Sequence, residues 1–198
     1  RWTTVTGVQT CALPIWLALA TIWTKLGRSD KALTSLNKAR LALPENAQIL
    51  FELGRLYLRN DQGTEAIAAL RQSLSLNPDD VETRKLLTNA YYHHGYLDDA
   101  WGIIRPLEKD YTSDPDLALI LGQVLSAIGD RAGARSALKF AWQSCNSEET
   151  LEAYARFLLN EKKIRKQLGK SDDHELQMLL NKLTANNLIQ SKFELQLL

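Results

Sequence analysis

Apolar residues in this chain fall three or four positions apart in short runs, and the runs come in pairs. Leu50, Leu53 and Tyr57 share one face of a helix with the small Gly54 beside them, and Ala66, Leu70 and Leu74 make the next stripe. The pair then recurs: Ala32, Ala66, Ala100 and Ala134 stand 34 residues apart. Leu19, Leu53, Leu87 and Leu121 keep the same step, as does a small-residue column of Ala20, Gly54, Thr88 and Gly122. Bulky columns run alongside, one of Trp23, Tyr57, Tyr91 and Leu125 and another of Leu36, Leu70, Ile104 and Leu138. Small residues between bulky ones let two helix axes approach closely. A fixed period of this length marks a unit of two helices whose apolar face is buried by the next unit. The pattern predicts an all-α stack of helical hairpins.

Punctuation fits the hairpins. Gly27, Gly95 and Gly129 mark the turn inside a copy, with Asp61 in that place in the second copy. Asn46, Asp80 and Asp114 stand where N-caps are needed, and Pro115 follows at a favoured first helical position. Second helices are predicted to start near Ser29 or Asp30, Thr64, Asp98 and Asp130. Pro106 is read as lying inside the second helix of the third copy, bending it by pressing its ring at the Gly102 carbonyl. Beyond residue 148 the register fails, since the alanine column falls on Leu168 and the turn column on Lys163. Leu151, Tyr154, Leu158 and Ile164 still make a stripe. Asp172 with Glu175 reads as a capping box before Leu176, Leu179, Leu180 and Leu183. A divergent fifth hairpin with a polar capping helix is expected over residues 149–198.

These columns resemble the tetratricopeptide repeat. The first copy carries the pattern as Trp16, Leu19-Ala20, Trp23, Gly27, Ala32, Leu36, Ala39 and Pro44. The second carries it as Leu50, Leu53-Gly54, Tyr57, Ala66, Leu70, Ser73 and Pro78. The third departs at Thr88 and Thr112, the fourth at Leu125 and Asn146. The resemblance implies a helical-hairpin solenoid wound as a right-handed superhelix. Four copies fill about 13–46, 47–80, 81–114 and 115–148, so that residues 16–148 form the repeat array.

The start of the chain changes how its first copy is read. Val5 to Ile15 is similar to the translation of a common short-read sequencing adapter, which gives all eleven residues in one frame. Residues 1–15 are therefore read as a non-native segment, with native sequence resuming at Trp16 or Leu17 and its true beginning expected upstream. On that reading Cys11 is not biological, and the apolar run from Cys11 to Trp23 is too short to span a bilayer. A face of the first hairpin is expected to be covered by upstream native sequence.

Composition narrows the function classes. The 198 residues are 45% hydrophobic and 24% charged, with a formal charge of +1. Acids and bases are interspersed, so no basic stripe for a nucleic acid partner is evident. Cys11 and Cys145 sit in no metal-ligand spacing, and Cys145 is expected to be a partly buried small residue. His93 and His94 are adjacent, so on a helix they point apart and cannot jointly grip a metal. His174 is expected to be exposed on the last helix. No phosphate-cradling loop, nucleophile elbow or zinc helix motif is present, so neither catalysis nor a cofactor is expected.

Function is then expected on a surface. The resemblance implies that first helices line a concave groove that receives a peptide. Carried over position by position, that groove shows Phe51, Arg55, Leu58 and Arg59 in the second copy. The third shows Lys85, Asn89, Tyr92 and His93, and the fourth Leu119, Gln123 and Ser126. Arg and Lys would hold carboxylates while Phe51, Leu58 and Tyr92 anchor apolar groups, which points to an acidic or C-terminal segment of a protein partner. Lys85 with Asn89 resembles half of the carboxylate clamp of chaperone-binding members, but Gln123, Thr150 and Tyr154 depart from the rest. The leading reading is a noncatalytic adaptor. Two others are the repeat arm of a larger enzyme, such as a glycosyltransferase or kinase, and a structural part of an envelope, secretion or polysaccharide-export assembly.

Overall fold

In the computed structural model, residues 6–165 and 170–185 are described, with side chains described over 15–163 and 173–182. The described residues hold ten α-helices and two short 3-10 turns. The chain divides into two compact units, residues 1–103 and 104–198, and each is taken by itself.

The first unit holds α1 (Thr6–Lys25), α2 (Ser29–Ala42), α3 (Ala47–Arg59), α4 (Gly63–Leu76), α5 (Val81–His93) and α6 (Leu97–Ile104), whose last residue crosses the division. Helix α1 runs through the adapter-like stretch from Thr6 onward. The second helices begin within a residue or so of their predicted starts. Asn46 and Asp80 cap α3 and α5 with their side chains, accepting from Ile49 N–H and Thr83 N–H. Gly27 and Gly95 turn the chain at φ 69° and 76°, and Asp61 takes the same left-handed conformation at φ 57°. The alanine column is buried at Ala32, Ala66 and Ala100, and the bulky column at Leu36 and Leu70. Burying one such aliphatic side chain contributes roughly 1.5–3 kcal/mol, so the columns account for much of what holds hairpin to hairpin. Ser73 on α4 donates to the Ala47 carbonyl at 2.8 Å, tying the end of one helix to the start of its partner.

Pro106 does not bend a continuing helix. Helix α6 stops at Ile104 and Arg105–Leu107 is a 3-10 turn, because Pro106 lacks the N–H that would have reached the Gly102 carbonyl. At eight residues, α6 is the shortest helix described.

The second unit holds a further 3-10 turn at Tyr111–Ser113, then α7 (Pro115–Ile128), α8 (Arg131–Cys145), α9 (Glu148–Arg165) and α10 (Lys170–Ala185). Asp114 caps α7 and Asp130 caps α8, with Gly129 at φ 92° between those helices. Leu121, Val124, Ala134, Leu138, Leu151, Tyr154, Leu158, Leu176 and Leu179 are buried, so the stripe read for the fifth hairpin does face a core. Ile164 and Leu183 lie outside the described side chains. The capping box expected at Asp172 is not at a helix start, since α10 already begins at Lys170. Glu175 instead accepts from Lys139 Nζ on α8 and from the buried Tyr154 hydroxyl on α9, at 2.9 and 3.0 Å. Cys145 is exposed at the end of α8, not partly buried.

Candidate functional site

Helices α3 and α5 touch directly in the first unit, and two recesses open beside them. The larger is an open cleft of about 530 Å³ to which Leu58, Asn89 and His93 all contribute. Asp61, Gly63, Ala90 and His94 complete it. Arg55 and Arg59 face a smaller recess against α1, with Thr21, Thr24 and Glu52 in its wall. Phe51, Lys85 and Tyr92 line neither recess. Leu119, Gln123 and Ser126 belong to α7 in the second unit, where Leu119 is buried and the other two are half-buried.

Charge in these recesses is partly spent inside the fold. Arg55 Nη2 lies 2.7 Å from Glu52 Oε2 on its own helix. Lys85, expected to display its ammonium in the groove, is buried instead, with 8% of its surface exposed. Its Nζ pairs with Glu82 at 2.7 Å one helical turn away. The residues one period to either side of it, Phe51 and Leu119, are apolar, as are Leu17 and Ala153 further along. Lys85 thus buries its aliphatic stem and sends its charge out to Glu82. Arg59 and His93 remain exposed.

Aromatic rings stiffen the same end of α5. Tyr92 meets His93 edge to face at 5.5 Å between centroids, and His94 stacks on Tyr96 at 6.3 Å. His94 also packs over Gly63. Asp61 and His94 were not among the residues expected from the groove pattern, because both sit in turns and not on the helix faces that the pattern indexes. Their signal was positional: Asp61 stands in the turn column itself and His94 one residue before it, at the ends of groove helices.

The two positions where a carboxylate clamp would place bases are structural. Thr150 is buried and bonds to Ser147, and Tyr154 is fully buried with its hydroxyl on Glu175. Among the described residues no cluster of His, Cys, Asp and Glu could hold a metal, and no helix is long and apolar enough to cross a membrane.

The tetratricopeptide repeat pattern matches residues 17–81 and again residues 57–124, together more than half of the chain. The chain belongs to the tetratricopeptide repeat family. No curated protein matches it in sequence. Solved structures resemble it in fold: a thermophilic tetratricopeptide repeat protein of Thermus thermophilus is 23% identical, with TM-score 0.65 over 94% of this chain and 100% of that one. MamA of Desulfovibrio magneticus is 10% identical, with TM-score 0.72 over 86% and 96%. PilF of Pseudomonas aeruginosa is 15% identical, with TM-score 0.70 over 89% and 78%. As a tetratricopeptide repeat protein the chain is, in general terms, a protein-interaction scaffold, a kind of protein that is generally noncatalytic.

Proposed function

We propose that the first unit binds an extended peptide segment of a partner protein along α3 and α5, with the cleft at Leu58, Asn89 and His93 as its centre. The convergence of those three side chains on one open cleft carries the reading. Leu58 offers an apolar wall, and the Asn89 amide can both donate to and accept from a peptide backbone. His93 and His94 add donors at one end, and the exposed Arg59 guanidinium on the same helix as Leu58 suits a carboxylate. An acidic or C-terminal peptide is the partner chemistry that fits these donors. Lys85 is not counted among these donors, since its charge is already met by Glu82 on the same helix.

Fluorescence anisotropy with acidic peptides, their C-termini free or amidated, tests the reading. Replacing Asn89 by Ala and Arg59 by Glu together should weaken binding by about tenfold or more, with helicity unchanged. Unchanged affinity in that double variant would place the site elsewhere.

A further inference from the structure

Three titratable side chains line the cleft between α3 and α5: Asp61, His93 and His94. They come from the ends of two helices. Asp61 takes the left-handed place in the turn after α3, His93 is the last residue of α5, and His94 is the C-cap that follows it. The His94 ring lies over Gly63 at the start of α4 and stacks on Tyr96 at 6.3 Å, while the His93 ring meets Tyr92. The remaining polar side chain of the lining is the neutral Asn89 amide.

Charged groups on the surrounding helices are engaged away from this lining. Arg59 of α3 faces the recess against α1. Glu65 in the first turn of α4 accepts from the Thr64 hydroxyl at 2.7 Å, and Lys85 of α5 pairs with Glu82. Asp98 and Asp99 of α6 line a separate cleft together with Arg71. The sign of the cleft's charge is therefore set by its two imidazoles. With both rings neutral it carries the single negative charge of Asp61, which opposes an acidic peptide. With both protonated the balance is one positive charge, and every ring N–H is a donor. Imidazole makes that change between about pH 5 and 8, a range in which carboxylic groups generally stay ionised.

Resting on the peptide-binding reading of this cleft, we propose that the site is gated by pH. Protonation of His93 and His94 reverses the charge of the cleft and favours capture of an acidic segment, and loss of those protons releases it. Linkage requires the converse, that a bound acidic peptide holds protons on both rings up to a higher pH than in the free chain.

The probes are two peptides carrying rhodamine on the N-terminus, which removes the titrating amine. One bears Glu and Asp with a free C-terminus, and the other bears Gln and Asn with an amidated one. Measured by anisotropy with the full chain, the acidic peptide should bind about fivefold more tightly at about pH 5.5 than at about pH 8, and the neutral one should not change. His93→Gln with His94→Gln should flatten that dependence. Imidazole NMR titration of the unaltered chain reads the same linkage without a variant. Added acidic peptide should move the His93 and His94 titrations to higher pH and leave His174 of α10 in place. Equal affinity at both pH values, or titrations of His93 and His94 that the peptide leaves unmoved or moves only together with His174, would overturn the gate while leaving the peptide site standing. Absence of binding at either pH would overturn both.

Discussion

At Gly54 the backbone of α3 comes so near α4 that an added Cβ would sit 2.5 Å from Leu70 Cγ and 2.7 Å from its Cδ2. Leu70 is fully buried and cannot swing away. Gly54→Val should therefore destabilise the protein by about 2–3 kcal/mol through overpacking, read as a lower denaturant midpoint in urea unfolding. The next residue of that column behaves differently. Thr88 is wholly buried, and its hydroxyl has no hydrogen-bond partner. Thr88→Val keeps the shape and removes the unsatisfied group, so stability should rise by about 1 kcal/mol in the same assay. A fall would mean that the hydroxyl is satisfied in solution. Lys85 shows why individual site residues are harder to read than columns. As one residue it looks like a groove cation, but its column of Leu17, Phe51, Leu119 and Ala153 is apolar, and the packing follows the column.

Helices were legible where the period and the caps agreed. Asn46, Asp80, Asp114 and Asp130 each accept from a backbone N–H in the first turn, and Gly27, Asp61, Gly95 and Gly129 all turn at positive φ. The misreadings fell where one residue had to be weighed against a helix. Pro106 ends α6 instead of bending it, and α10 starts before the acid that looked like its cap. Glu175 instead takes part in tertiary structure, linking α10 to both α8 and α9 through Lys139 and Tyr154. Sequence spacing carries no trace of a contact 36 residues away. Glu175→Ala would remove both the charge-assisted bond from the Tyr154 hydroxyl and the ion pair with Lys139, at a cost of about 2 kcal/mol. Hydrogen exchange should show it first as lost protection in α10, whereas α7 should hold.

At the level of the whole chain, repetition made the fold readable. The hairpins α1–α2, α3–α4 and α7–α8 bury the same columns, so the 34-residue period encodes the packing of one unit several times over. The candidate site is encoded once. It depends on which side chains are consumed by internal pairs, such as Arg55 with Glu52, and on turn residues such as Asp61 and His94 that lie outside the groove-facing columns. On the proposed function, α3 and α5 form a peptide-binding surface. An NMR titration of the isotope-labelled protein with an acidic peptide tests it most directly. Amide shifts should saturate and cluster at Leu58, Asp61, Asn89, His93 and His94. Shifts clustered on other helices, or none at peptide concentrations of about 1 mM, where even weak binding of about 4 kcal/mol is seen, would contradict it.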